Sequence, residues 1–323
     1  MDGLLAKWAA LCAGSGPLRF VDVNLRGIGQ VMFQDNPLTG ALFLLAIAWG
    51  ALAGHAPEIL AAGLIALIVA SLTALWLRLD GPAYRAGLYG YNGVLVGLAL
   101  ATFIAPSAQL WAFVVLGGAV SVVATVGTAN ALKPFGLAAL TFPFVLVTWL
   151  LLLASYGFSG LGGTGMPSAA LVTPFEPAPS LASGFGDYLK GVLLGVSQVF
   201  LKGSGLSALL ILAGLAVSSI PAALFALAGA LIAVIVAHLF GAESDLVLGG
   251  LLGFSPVLTA VALGTVFHEP NGRVAVYAVV GAVFTVVAQA ALNAALMPIA
   301  IPALTAPFVL VTWMFMLPRQ TFD

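Results

Sequence analysis

Nine residues of this chain are written twice. Thr141-Phe142-Pro143-Phe144-Val145-Leu146-Val147-Thr148-Trp149 returns as Thr305-Ala306-Pro307-Phe308-Val309-Leu310-Val311-Thr312-Trp313, with eight of nine positions identical and 164 residues between the copies. A proline near the start of an apolar helical run removes an N–H and frees a carbonyl one turn earlier. In lipid, such a break is tolerated only where protein or a water-lined path surrounds it. Two broken-helix signatures, one in each half, predict a membrane transport protein whose path lies between two repeats.

The halves match beyond this stretch. Leu25–Phe33 resembles Leu193–Leu201, which pairs Gln30 with Gln198 and Phe33 with Leu201. Gly87–Leu95 resembles Gly250–Leu258, which pairs Tyr91 with Phe254 and Leu95 with Leu258. With the order preserved, these matches indicate a duplicated unit. A helix crossing a bilayer needs about 20 mostly apolar residues. Candidate runs fall at 38–54, 58–78, 88–104, 107–130 and 139–157, then at 205–219, 221–240, 247–267, 274–293 and 303–318. The segments holding Gln30 and Gln198 are too short and too polar to span, and read as short helices that dip into the protein and return. The expected fold is an all-α integral membrane protein of ten transmembrane helices plus two short re-entrant helices. Residues 1–157 form the first repeat, 158–189 an extracytoplasmic linker rich in Gly, Pro and Ser, and 190–323 the second repeat.

Composition agrees. The chain is 62% apolar and 7% charged with a mean hydropathy of +1.17, against roughly 25% charge in soluble domains. A net charge of −1 leaves no basic face for nucleic acid. A single cysteine, Cys12, excludes an intramolecular disulfide, and His55, His238 and His268 lack metal-ligand spacing. Lys7, Pro17, Arg19 and Asp22 break the pattern of a cleavable signal, so residues 1–20 read as an amphipathic or loosely ordered leader. With the amino terminus inside, Lys7, Arg19, Arg26, Arg78, Arg85, Lys133, Arg273 and Arg319 are cytoplasmic. Only Lys190 and Lys202 fall outside, and the stretch from Gly157 to Leu189 holds neither Lys nor Arg. Five crossings per half then make the repeats inverted, in a multi-pass protein of the cell (inner) membrane with both termini cytoplasmic.

The interiors of the predicted spans contain no Asp, Glu, Lys or Arg: Glu58, Arg78, Asp80, Arg85, Glu243, Asp245 and Glu269 all fall at ends or in loops. Ionisable groups survive at membrane depth for proton relays or ion coupling, so a neutral solute and passive movement are expected. Without metal ligands or a nucleophile–base pair, an enzyme and a cofactor are not expected. What is polar recurs in matched places: the amides of Gln30 and Gln198, the hydroxyls of Thr141 and Thr305, and the carbonyls freed by Pro143 and Pro307. Beside them stand the rings of Phe33, Tyr91 and Phe254, with Leu95 and Leu258 on the same helical faces as the latter two. Each has a packing reading: glutamine bridging helices, threonine bonding its own backbone, aromatics filling the core. Recurrence in both halves favours a path. An apolar slot with rows of acceptors suits a small planar molecule rich in N–H donors. The alternatives are a passive pore for another small neutral solute (short amides, glycerol, ammonia, water) and an ion-coupled secondary transporter.

At these residues the sequence resembles the urea transporter family, whose signature is Leu-Pro-x-x-Thr-x-Pro-Phe once per half. The copies here are Leu137-Ala138-Ala139-Leu140-Thr141-Phe142-Pro143-Phe144, with alanine for the first proline, and Ile301-Pro302-Ala303-Leu304-Thr305-Ala306-Pro307-Phe308, with isoleucine for leucine. Gln30–Pro37 and Gly87–Asn92 also look like family segments, and the resemblance runs from about residue 20 onward. It implies a homotrimer in which each protomer carries its own channel-like urea path through the lipid bilayer. Gln30, Gln198, Thr141 and Thr305 would then contact urea. Tyr91, Phe254 and Phe33 would stack on it, and Leu95, Leu258 and Leu201 would line the wall. The second half departs from the first at Lys202-Gly203-Ser204-Gly205, which replaces Gln34-Asp35-Asn36-Pro37, and at Ser255-Pro256, which replaces Asn92-Gly93.

Overall fold

The computed structural model describes residues 2–79, 81–173 and 184–322 of the chain, and among these the fold is all helical. The first half holds α1 (Asp2–Gly14), α2 (Gly16–Gln30), α3 (Pro37–Ala53), α4 (Pro57–Trp76), α5 (Gly81–Arg85), α6 (Tyr91–Phe103), α7 (Ala108–Leu132) and α8 (Phe142–Ser155). The second holds α9 (Phe185–Ser197), α10 (Gly205–Ser218), α11 (Ile220–Leu239), α12 (Ser244–Leu248), α13 (Phe254–Val261), α14 (Gly272–Leu296) and α15 (Ala306–Met316).

Local chemistry sets the starts. Asn36 accepts from the N–H groups of Leu38 and Thr39 ahead of Pro37 at the first position of α3. Ser204 accepts from Ser207 at the start of α10. The divergent Lys202–Gly205 turn therefore keeps its cap, as a hydroxyl in place of an amide. The expected leader is ordered: α1 and the start of α2 are helical, and Trp8 Nε1 donates to Asp22 at 2.7 Å. Arg26 joins Asp22 at 2.7 Å and Asp35 at 2.5 Å, which ties the leader to the turn after α2.

Among the described residues, four helices are long and apolar enough to cross a membrane alone: α4, α7 continued to Phe135, α11, and α14 continued to Ile299. α9, continued to Phe200, and α10 together make a further candidate, bent by 72° at the intervening turn. Of the others, α3 has the length of its expected run, whereas α6, α8, α13 and α15 are shorter than the expected crossings. α15 has 11 residues, about 16 Å at 1.5 Å per residue, against roughly 30 Å of hydrocarbon. The runs at 88–104, 139–157 and 303–318 become helical only from Tyr91, Phe142 and Ala306. The turns that lead into these helices and into α13 contain left-handed residues in matched places: Gly87 and Gly250 (φ 76° and 70°), Gly136 and Ala300 (68° and 54°), and Leu140 and Leu304 (both 51°). Phe33 and Leu201 share this conformation after the glutamines (64° and 54°). In the second half, the expected run 247–267 is split into α12, α13 and a π-helical tail, Ala262–Val266.

The outward faces of the long helices are apolar. Leu72, Leu75 and Trp76 are exposed on α4, and Leu224, Leu231 and Ile235 on α11. Alanines and glycines face inward: Ala62, Gly63, Ala66 and Ala70 on α4, and Ala222, Ala226, Gly229 and Ala233 on α11. This inverts the soluble arrangement and permits close backbone approach without a hydrophobic drive between helices. α3 and α10 join the halves by two reciprocal hydrogen bonds, Thr39 Oγ1 to the Gly214 carbonyl (2.8 Å) and Ser207 Oγ to the Ala46 carbonyl (2.7 Å).

The expected linker folds back on the end of α6, where Ala105 N–H donates to Gly162 and Thr164 N–H to Phe103. Its residues 174–183, and Asp80, lie outside the described residues. Lys202, expected on the outer side of the membrane, is only 4% exposed, its stem lying against Gly50.

The matched glycines provide a test. A Cβ at Gly250 would lie 2.3 Å from Gly195 N, and one at Gly87 would lie 2.3 Å from Gly27 N. Gly87→Ala and Gly250→Ala should each cost more than the ~1–2 kcal/mol of left-handed backbone. The expected outcome is a lower thermal midpoint in detergent than for Gly127→Ala, where a Cβ meets nothing within 4 Å.

Candidate functional site

The duplicated stretches meet at their threonines. Thr141 and Thr305 occupy the N-cap positions of α8 and α15 with nearly the same backbone, φ/ψ −91°/15° and −90°/14°. Neither hydroxyl caps its own helix. They hydrogen-bond to each other instead, at 2.6 Å, both buried.

The turns before the threonines are held from across the seam. Trp149 Nε1 donates to the Pro302 carbonyl and Trp313 Nε1 to the Ala138 carbonyl, both at 2.9 Å. Each tryptophan belongs to one copy of the repeated stretch and fixes the turn that leads into the other. The next carbonyls, of Ala139 and Ala303, accept from Phe142 N–H and Ala306 N–H within their own turns, both at 3.2 Å.

Two cavities adjoin this contact. One, of about 240 Å³, is lined by Gln30, Phe33, Tyr91, Leu140, Thr141 and Phe267 among others. The other, of about 580 Å³, is lined by Gln198, Leu201, Phe254, Gln289, Asn293, Leu304, Thr305 and the linker residues Gly165, Pro167, Ser168 and Ala170. Among the described residues, neither lining includes an Asp, Glu, Lys, Arg or His. A charged solute would find no counter-charge there to offset its desolvation.

The glutamines are oriented alike. Gln30 Nε2 donates to the Ala86 carbonyl at 3.0 Å and Gln198 Nε2 to the Gly249 carbonyl at 3.2 Å. With each amide nitrogen so engaged, Oε1 is left as an acceptor. Phe33 is wedged edge-on between Phe267 (6.2 Å, 75°) and Phe308 (6.1 Å, 70°).

Of the residues singled out from the sequence, Gln30, Phe33, Tyr91 and Thr141 line the smaller cavity and Gln198, Leu201, Phe254 and Thr305 the larger. Leu95 and Leu258 line neither; they are 1% and 0% exposed, within the common core. Sequence reasoning missed Asn92, Leu140, Leu304 and Phe267, and gave no role to Trp149 and Trp313. Asn92 Oδ1 accepts from the Phe144 N–H left free at the start of α8 (3.2 Å), while its Nδ2 donates to Thr125 Oγ1 (3.0 Å). The tryptophans did carry a signal, since they close the repeated stretch.

Replacing Trp149 or Trp313 by Phe keeps the ring and removes the donor. Trp149→Phe leaves the part-buried Pro302 carbonyl unpaired and should cost about 1–3 kcal/mol; the Ala138 carbonyl is exposed, so Trp313→Phe should cost less. Both variants should melt below the parent protein in a detergent thermal scan, the double variant lowest.

Comparison with known proteins bears on the whole of this arrangement. The urea transporter family profile matches residues 21–320. Urea transporter 1 of Ovis aries is 29% identical over 310 residues, covering 93% of this chain and 77% of the relative. Urea transporter 1 of Mus musculus and of Rattus norvegicus are each 30% identical over the same shares.

Proposed function

The chain belongs to the urea transporter family, and we propose that it carries urea passively across the membrane through a narrow, channel-like path between its two halves. It is a transporter and not an enzyme. The observation that carries the reading is the pair of cavities on the Thr141–Thr305 contact, each holding one of the matched, oriented glutamines and one of the matched rings, Tyr91 or Phe254.

Urea is flat and neutral, with four N–H donors and one carbonyl. A ring face takes the plane of the molecule, and acceptors at the slot edge take its N–H groups in place of water. Gln30 and Gln198 supply side-chain oxygens at the two cavities, with Thr141 and Thr305 as the polar step between them. Phe33 and Leu201 form apolar walls. Leu95 and Leu258 support the rings from beneath, since each follows its ring by one helical turn and is buried. Binding is weak by design, because a conducting site must release what it admits.

The architecture that goes with this function is two inverted repeats, 1–157 and 190–323, joined by an extracytoplasmic linker. Each contributes five crossings and one short re-entrant helix, α2 or α9. The reciprocal hydrogen bonds across the seam and the matched left-handed residues support that relation. We place both termini on the cytoplasmic side of the inner membrane and the protomer in a homotrimer.

The test is urea efflux from proteoliposomes by stopped-flow light scattering, with glycerol alongside and no ion gradient. Fast urea and slow glycerol are expected, and Gln198→Leu should lower urea flux at least about threefold, the loss of one hydrogen bond. Urea movement only under a proton or sodium gradient would overturn the passive reading.

A further inference from the structure

The two cavities are not chemically equivalent, and the difference sits on one carbonyl. Tyr91 Oη donates to the Leu140 carbonyl at 2.6 Å, and Asn92 Nδ2 approaches the same oxygen at 3.5 Å. A carbonyl oxygen has two lone pairs, and here both are directed at protein donors. The matched carbonyl is that of Leu304, at the same position in the turn and with the same φ of 51°. It receives no side-chain donor among the described residues: Phe254, in the place of Tyr91, has no hydroxyl, and the hydroxyl of Ser255, in the place of Asn92, donates to Gln289 Oε1 at 2.8 Å. Leu140 and Tyr91 line the smaller cavity, Leu304 and Phe254 the larger.

We propose that the Tyr91 hydroxyl is a specificity-determining group that withdraws the Leu140 carbonyl from the transport path. Recognition of the solute's second amino group is thereby concentrated at the Leu304 end. This rests on the urea reading above and concerns which amides pass. At the Leu304 end a solute meets Gln198 Oε1 and a free backbone carbonyl. At the Tyr91 end it meets Gln30 Oε1 with the carbonyl already taken. Acetamide has nearly the shape of urea but carries a methyl group in place of one NH₂. It leaves the Leu304 carbonyl unpaired at one end and forfeits nothing comparable at the other. The Tyr91 end is thus permissive toward planar primary amides with one amino group, and the Leu304 end is strict.

The experiment is the ratio of urea to acetamide permeability in proteoliposomes, for the parent protein, Tyr91→Phe and Phe254→Tyr. Freeing the Leu140 carbonyl in Tyr91→Phe should raise the ratio about threefold or more, the worth of one hydrogen bond. Phe254→Tyr, which places a hydroxyl beside the Leu304 carbonyl, should lower it by a similar factor. A merely structural hydroxyl predicts that Tyr91→Phe slows urea and acetamide equally, leaving the ratio at the parent value; that result overturns the proposal. An unchanged ratio in a well-assembled Phe254→Tyr overturns it independently. Failure of the parent protein to pass urea would instead strike the functional reading, so the two failures are told apart by the unmodified control.

Discussion

The indole N–H of Trp149 reaches a carbonyl 153 residues away, and that of Trp313 reaches back over 175. The acceptors, Pro302 and Ala138, stand three residues before Thr305 and Thr141, in turns whose backbone cannot bond as a helix does. At membrane depth a carbonyl outside a regular helix needs a partner from elsewhere in the protein or from a water-lined path. Each half therefore breaks its own helix and relies on the other for a donor. The break and the association of the halves are one constraint, which is why the tryptophan belongs to the same short stretch as the threonine and the proline.

That mutual hold explains how two leucines tolerate left-handed backbone. Leu140 and Leu304 both lie at φ 51°, a conformation that costs a residue with a Cβ on the order of 1–3 kcal/mol and persists where surrounding structure imposes it. The turn is bracketed by the tryptophan bond on one side and the Thr141–Thr305 bond on the other. Carbonyls that a continuous helix would have used internally are redirected to neighbours across the seam, to side chains, or to a cavity. A row of acceptors at membrane depth follows from the arrangement, with no Asp, Glu, Lys, Arg or His among the described residues of either cavity lining.

Much of this could be read from the chain. The repeated stretch pointed to Thr141 and Thr305, and the weaker matches to Gln30, Gln198, Tyr91 and Phe254, because those positions bear polar or aromatic groups where apolar ones would suffice. Helix starts at Pro37, Ala108, Gly205 and Gly272 followed the caps and apolar runs. The conformation of Leu140 and Leu304 was not legible, since leucine favours regular helix and only tertiary contacts impose φ > 0. The partners of the tryptophans were hidden for a related reason: an apolar run shows that a helix exists, not which turn it meets. Leu95 and Leu258 shared a helical face with the rings, yet helical spacing cannot separate a cavity wall from the core behind it. The hydroxyl of Tyr91 was visible in the sequence, where its partner position holds Phe254, but its acceptor was not.

The two cavities show how far a duplicated site can drift while its frame is kept. Around the Thr141 turn the supporting pair is Asn92 and Thr125, an amide on α6 bonded to a hydroxyl on α7. Around the Thr305 turn it is Ser255 and Gln289, a hydroxyl on α13 bonded to an amide on α14. Amide and hydroxyl have exchanged helices, so the buried polar contact survives in both places. What it does to the backbone differs. Asn92 reaches the Phe144 N–H and the Leu140 carbonyl, whereas Gln289 turns its nitrogen to Asn293, a residue of the larger cavity wall. Packing demands only that buried amides find partners, and either solution meets it. Conduction down a gradient demands only that some path stay favourable end to end, and this does not require its two ends to match. The cross-seam bonds are repeated because they hold the fold together, while in the proposed path the groups facing the solute would be free to differ, each end being a separate binding step.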